Sequence, residues 1–502
     1  MKAAAVFSDN MVLQRGVPVR IFGTCEDVCG DINVSVPELG ISAKASVSDG
    51  RWCALLPAAS ACKCCTVEIS SDIRRIVFRN VAYGEVWLAG GQSNMQFELR
   101  NDRNGVQALA DCHNENVRYY NTPKCSCIGE GLNRAESRSC WMLPSKESAV
   151  EWSAAGYYFA VELSRRLGVT VGIIGCNWGG TSASAWVSED VLKRDSRLSV
   201  YLDDYAEKIK GKTEEQMISE YNEYVGIRSE WINRVVECMN EKRLRWGEAS
   251  RLCGKDPYPG PMGCIHPERP SGLYGSMLSR IAPYTIKGVL WYQGESDDHH
   301  PEVYYPLLTS LIGLWRERWH NDSLPFIIAQ LPMYDDEVNM NDTNWCMIRE
   351  AQMKAFQTIR NTGLAVLSDC GQFDELHPID KAPVGHRMYL QTLSEVYGLA
   401  DRKDTLPPIF SHIECGDGEI RVFFDNMYGL KKRTGWESGF EIADISGEFM
   451  SVDNAEFDGC GILHLQCRCI GAPVSVRYLW KNYADVKLYG VNGLPVPPFR
   501  SL

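Results

Sequence analysis

Glu85-Val-Trp-Leu-Ala-Gly-Gly-Gln-Ser-Asn-Met95 is the stretch from which the fold of this 502-residue chain can be read. Glu85 to Ala89 is a mostly apolar run of strand length, and Gly90-Gly91 end it just before a polar Gln-Ser-Asn. Such a run reads as a buried strand that exits straight into a turn. Downstream, Trp152, Phe159, Leu163 and Leu167 recur at helical spacing ahead of Gly168, a helix stop, and 169–174 reads as the next strand. The same strand type returns at 287–292, 324–331 and 364–369, with helical patterns over 304–319 and 348–359 between them. Strands alternating with helices predict an α/β core whose mostly parallel sheet is covered on both faces, giving three layers.

The flanks read differently. Before residue 82, short alternating runs such as Val17-Pro-Val-Arg-Ile-Phe22 and Asp31-Ile-Asn-Val-Ser-Val36 are separated by turn residues. That spacing predicts an N-terminal β-sandwich-like module over 1–82. Runs such as Glu419-Ile-Arg-Val-Phe-Phe424 and Pro473-Val-Ser-Val-Arg-Tyr478 predict a second β-sandwich-like module over 401–502. The core then spans 83–400, and its charged stretch at about 200–270, with loop chemistry at Asp256-Pro-Tyr-Pro-Gly-Pro261, is expected to be a helical and loop insertion.

Composition bounds the partners. The 52 basic and 64 acidic side chains leave a net charge of −12, with 45% hydrophobic and 23% charged residues. This is the make-up of a folded soluble protein, without the basic footprint that nucleic acid or an anionic membrane would require. No apolar run approaches the roughly 18 residues that span a bilayer. The opening Met1-Lys-Ala-Ala-Ala-Val-Phe-Ser is too short for a signal h-region, so a cytoplasmic location is expected. The 20 cysteines are then expected to be reduced thiols, and neither Cys62-Lys-Cys-Cys65 nor Cys125-Ser-Cys127 has the second pair that structural zinc needs.

In an open parallel sheet, ligands bind beyond the carboxyl ends of the strands, so the residues after each strand carry the chemistry. Ser93, on the Gly91-Gln-Ser-Asn-Met95 turn, is a candidate nucleophile, although the turn lacks the Gly-x-Ser-x-Gly elbow pattern. Asp374-Glu-Leu-His377 sets a carboxylate three residues before an imidazole, close enough to orient it towards a serine; Asp369, Glu375 and His386 are rivals nearby. Asn177-Trp-Gly-Gly-Thr181 offers backbone N–H groups at Gly179 and Gly180 for an oxyanion, and Gln293 in Trp291-Tyr-Gln-Gly-Glu-Ser296 offers a side-chain amide. Glu295 is expected to brace its loop. Asp297-Asp-His-His300 reads as a solvated loop, so no metal or organic cofactor is expected.

Together, the Glu85–Met95 segment, Trp291-Tyr-Gln-Gly-Glu-Ser296 and the Asp374-x-x-His377 pair resemble the sialate O-acetylesterase family of SGNH-type hydrolases. Phe7-Ser-Asp-Asn-Met-Val-Leu-Gln14 and Gly493-Leu-Pro-Val-Pro-Pro-Phe-Arg500 look like that family's two ends. The resemblance implies an SGNH-like, flavodoxin-like core and a serine esterase that removes O-acetyl groups from sugars, O-acetylated sialic acid above all. It implies Ser93 as nucleophile, His377 as base and acid, Asp374 as the orienting carboxylate, and Ser93 N–H, Gly179 or Gly180 N–H and Gln293 as oxyanion donors. Trp178 is then a candidate to stack on a sugar ring, and Arg349 a candidate to meet a sialic acid carboxylate, with a structural ion pair as its alternative role. The alternatives are an acetylesterase for plant-type oligosaccharides, using the same machinery, and a non-catalytic carbohydrate-binding protein. Oligomeric state is left open.

Overall fold

One strand joins the two halves of the molecule's main sheet. In the computed structural model, which describes residues 1–26, 30–72, 74–242, 244, 246–335, 343–416 and 418–501, β1 runs for 17 residues (Arg75–Gly91). Its first part pairs antiparallel with Cys62–Ser70, which pairs with Ile32–Val36, and that strand with Ile41–Ala45. From Val81 to Gly91 every residue of β1 is buried. The boundary expected at 82 thus falls inside a continuous strand. A smaller sheet of Lys2–Ala3, Val19–Thr24 and Arg51–Leu56 completes the N-terminal part. Strict alternation turns Trp52, Ala54 and Leu56 inward and the residues between them outward.

The buried end of β1 is the middle of the α/β core. Around it stand β2 (Val117–Asn121), β3 (Val171–Asn177), β4 (Gly288–Tyr292), β5 (Phe326–Gln330) and β6 (Thr362–Val366). Their order is β2-β3-β1-β4-β5-β6, every neighbouring pair parallel, within a mixed sheet of 11 strands. β4, β5 and β6 are buried at every residue, as strands covered on both faces must be. The chain leaves β1 towards β2 and β3 on one side and towards β4 on the other, so the carboxyl end of β1 is a topological switch point.

Local chemistry sets the helices. A one-turn helix α1 (Ser93–Gln96) follows β1 directly. Helix α2 (Ala154–Leu167) starts where Ser153 Oγ accepts from the Gly156 N–H at 3.1 Å, and stops at left-handed Gly168, φ +66°. Such an N-cap contributes about 1 kcal/mol. The insertion holds α3 (Glu214–Lys242), whose Trp231 and Val235 form a small core of their own with Ala249. Beyond β4 come α4 (Tyr304–Arg318), α5 (Asn344–Thr358) and α6 (Ala382–Glu395), with α4 packed on α5 and α6 on α2.

From Ile409 onward, two four-stranded antiparallel sheets and a two-stranded ribbon enclose a second core, centred on Ile420, Val422, Phe440, Leu463, Val476 and Phe499. Arg349 of α5 fastens this module to the α/β core. Its fully buried guanidinium donates to the carbonyls of Lys481 and Asn482, and Arg500 forms a two-point ion pair with Glu350, both bonds 2.9 Å. The expectation that Arg349 meets a substrate carboxylate is corrected: its two Nη groups donate to main-chain carbonyls and to Cys346 Sγ, and the guanidinium is wholly buried in the junction between α5 and the C-terminal module.

Among the described residues no helix is long and apolar enough to cross a membrane. Cys25 is disulfide-bonded, contrary to the expectation of reduced thiols throughout, and the other described cysteines are free thiols. Arg349→Met is expected to cost about 3 kcal/mol of stability, because it strands buried carbonyls that a charged donor now satisfies. Denaturation curves of the two proteins check this, and equal midpoints would show that the guanidinium adds nothing at the junction.

Candidate active site

The turn after β1 is dictated by one close approach. Gly91 has φ +137°, and a Cβ built there would lie 2.0 Å from Tyr292 O on the neighbouring strand, so no other residue fits. The Gln92 N–H donates to that same carbonyl at 3.1 Å, and Gln92 O accepts from the N–H groups of Met95 and Gln96 at 3.0 and 2.8 Å. The chain therefore turns from strand into α1 with Ser93 as its first residue. Across the turn, Gln92 Nε2 donates to Ser296 Oγ, and Gln92 Oε1 accepts from the Ser296 N–H, each at 3.1 Å.

Ser93 Oγ lies 2.8 Å from His377 Nε2, with the imidazole arriving from the loop between β6 and α6. Burial pushes the imidazole down to about 4 from an ordinary value of 6.5, and the charge of Lys381 pushes it the same way. A neutral ring with its proton on Nδ1 presents Nε2 as an acceptor for the serine proton. The pair expected from sequence is thus brought together. Asp374 is not: it is exposed, with φ +57°, and its Oδ2 lies 3.1 Å from Arg251 of the insertion. Among the described residues no carboxylate is hydrogen-bonded to the His377 ring, which corrects the expected Asp374 contact. The rivals are engaged elsewhere, Asp369 with Arg387 and His386 with Glu162, while Glu375 accepts from the His377 main-chain N–H at 3.0 Å.

Beneath the serine runs a buried chain of polar groups. Asn94 Nδ2 donates to Glu295 Oε1 at 2.6 Å and to Leu376 O at 3.1 Å, while Lys381 Nζ donates to Asn94 Oδ1 at 2.6 Å. Burial pushes the Lys381 ammonium down to about 8 and the Glu295 carboxyl up. Glu295 does brace its loop, through Asn94. Lys381 carries no sequence signal, since a lysine near a loop reads as solvated.

Of the expected oxyanion donors, Gly179 lies beside Ser93. A Cβ built on it would lie 3.2 Å from Ser93 Cβ, and its N–H donates to Gln96 Oε1 at 2.8 Å. Gly180 follows with φ +78°. Gln293 is corrected: it is wholly buried, and its amide N–H groups face Asp297 Oδ2 at 2.5 Å, Gln92 Oε1 at 3.1 Å and Thr181 O at 3.3 Å. Two N–H bonds with three internal acceptors leave nothing to aim at a substrate, so Gln293 ties the loops after β1, β3 and β4 together. Trp178 lies on the same turn, half-buried against the core, its N–H on Gly91 O.

Asp297 is also internal, accepting from Ser182 Oγ at 2.6 Å and Tyr201 Oη at 2.7 Å. His300 Nε2 instead meets Asp204 Oδ2 at 2.8 Å, and with His299 these groups bring three potential ligand atoms within 4.8 Å of one another. A larger cleft of about 1020 Å³, lined by Arg15, Lys287 and Tyr397, lies at the opposite, amino ends of the strands and away from Ser93.

Residues 265–389, which include Gln293, Asp374 and His377 but not Ser93, match the family model of carbohydrate esterases described as sialic acid-specific acetylesterase. Mouse sialate O-acetylesterase is 27% identical over 462 residues, 84% of this chain and 77% of the relative; the human enzyme is 25% identical over 454 residues, 84% and 75%. A carbohydrate acetylesterase from Xanthomonas citri shares the fold over 100% of this chain and 99% of its own, with TM-score 0.77 and 26% identity. On this fold, these matches make the chain a carboxylic ester hydrolase. More particularly, it is a relative of the sialate O-acetylesterases.

If the neutral imidazole is the working form, kcat/KM is expected to stay level as pH falls through 6.5 and to halve only near about pH 4, the depressed folded-state value. Initial rates of acetate release from about pH 3.5 to about pH 8 check this. A limb near 6.5 would mean that the imidazole is solvated in the working enzyme.

Proposed function

We propose that the chain is a serine esterase that removes O-acetyl groups from sugars through an acetyl-enzyme. The observation that carries the reading is the 2.8 Å bond between Ser93 Oγ and a half-buried His377, whose imidazole is held neutral by desolvation, at the switch point of the sheet. The core is then of the SGNH, flavodoxin-like kind, with modules at 1–82 and 401–502 around 83–400. Ser93 Oγ attacks the acetyl carbonyl carbon as His377 Nε2 takes its proton. The developing oxyanion accepts from the Ser93 N–H and from the Gly179–Gly180 turn. The bond from carbonyl carbon to sugar oxygen then breaks, the proton passing from Nε2 to the leaving hydroxyl, and water repeats the sequence on the acetyl-serine. The sugar in this reading comes from the relatives' names, and the expected contact between Arg349 and a sialic acid carboxylate does not support it.

Two groups must move. A substrate oxygen bound by the Gly179 N–H replaces Gln96 Oε1, which satisfies that donor in the free enzyme. Asp374 reaches His377 only by leaving Arg251, and an ion pair this exposed is worth about 0–1 kcal/mol, so the cost is small.

Ser93→Ala is expected to lower kcat by at least about a thousandfold with the melting temperature essentially unchanged; near-native turnover would remove Ser93 from the nucleophile's role. Asp374→Asn is expected to lower kcat by about a hundredfold or more, while Arg251→Ala stays within about twofold of wild type. Equal, small effects of the two would leave Asp374 as a surface residue. Gln96→Ala is expected to lower KM for acetyl esters by freeing the Gly179 donor, and a fall in kcat with KM unchanged would mean that Gln96 positions the turn instead.

A further inference from the structure

A chamber of about 330 Å³ opens beside the Ser93 turn, a size at the lower end of small-molecule sites. Its core wall is Gly180, Glu295, Ser296 and Asp298, and its outer wall comes from the insertion, with Tyr201, Asp204, Lys208, Tyr258 and Glu268. Both walls reach the nucleophile. Gly179 packs on Ser93, and a Cβ on the next residue, Gly180, would lie 2.6 Å from Glu268 Oε1 and 2.9 Å from Tyr258 Oη. Ser296 is doubly bonded to Gln92, the residue before Ser93. A sugar whose acetyl carbonyl sits over Ser93 therefore has this chamber as its neighbouring space.

The lining has a chemical bias. Asp204, Asp298, Glu268 and Glu295 face it against one ammonium, that of the exposed Lys208. Arg228 is occupied, stacked 5.0 Å from the centre of the Tyr258 ring and 3.5 Å from Asp256. Tyr258 keeps 39% of its surface exposed, offering a flat apolar face, and its hydroxyl and Glu268 Oε1 both approach Gly180. Carboxyl groups accept sugar hydroxyls without a compensating cation; burial already pushes the Glu268 carboxyl up to about 7, so a further carboxylate carried in by the sugar is disfavoured by the same desolvation and by the neighbouring acidic groups.

We infer that this chamber is the leaving-sugar subsite, that it takes a neutral acetylated sugar, and that Glu268 and Tyr258 determine this preference. The inference rests on the esterase reading of Ser93. Glu268 binds ring hydroxyls, and Tyr258 carries the ring's apolar face.

The test compares wild type, Glu268→Gln and Tyr258→Ala on p-nitrophenyl acetate, which has no sugar, on acetylated xylobiose and cellobiose, and on O-acetylated sialic acid, with circular dichroism as a folding check. Wild type is expected to prefer the neutral sugars to the sialic acid by at least about tenfold in kcat/KM. Each substitution is expected to lower the ratio of kcat/KM on neutral sugar to that on p-nitrophenyl acetate by about tenfold or more, chiefly through KM. Preference for the sialic acid, or a ratio unchanged in both folded variants, overturns the inference while p-nitrophenyl acetate hydrolysis through Ser93 stands. Wild-type hydrolysis that survives Ser93→Ala overturns the esterase reading itself, and the inference with it.

Discussion

Asn94 holds a buried ammonium and a buried carboxyl group at once, and the active centre depends on that arrangement. Its amide lies between Lys381 Nζ and Glu295 Oε1, with Leu376 O as a further acceptor. An isolated charge in this interior would cost several kcal/mol, and removing one member strands the others. The three side chains come from the turn after β1, the loop after β4 and the start of α6. Binding them together fixes Ser93, next to Asn94, relative to His377, next to Leu376. Ser93 and His377 are thus placed by a network that touches neither of them directly.

Around that network the molecule divides its labour. Backbone geometry at the strand ends shapes the candidate site: Gly91 is the residue that the Tyr292 carbonyl permits, and a Cβ on Gly179 would crowd Ser93 Cβ at 3.2 Å. Gln92, Gln293 and Asp297 tie the three loops together by hydrogen bonds alone. The insertion touches the same turn from outside, through Glu268 and Tyr258, and reaches Asp374 through Arg251. The C-terminal module is held by Arg349 of α5 and by its own Arg500, which pairs with Glu350 of α5, remote from the chemistry.

Several of these assignments could be read in the chain and others could not. Strand and helix positions were legible because period and flanking glycines are local properties, as at Ala154–Leu167 with its Ser153 cap and Gly168 stop. Ser93 and His377 were legible because both follow strands of the same sheet. Gln293 and Arg349 misled because a polar side chain next to a motif suggests substrate, while its true partners lie far off in sequence: Thr181 for one, Lys481 and Asn482 for the other. The place of Asp374 was not legible, since three residues of spacing allow a contact with His377 that a left-handed backbone and an outside arginine divert in this structure. Lys381 gave no signal at all, because burial of a lysine is the exception.

The sequence by itself determined the order of strands and helices and the glycine-forced turn that carries Ser93, since these follow from side-chain periodicity and backbone sterics within a few residues. Only the tertiary structure decided which polar groups face the reacting space and which brace it. Hydrogen-bond partners and burial, and with them the protonation of His377, Lys381 and Glu295, depend on what distant segments bring alongside.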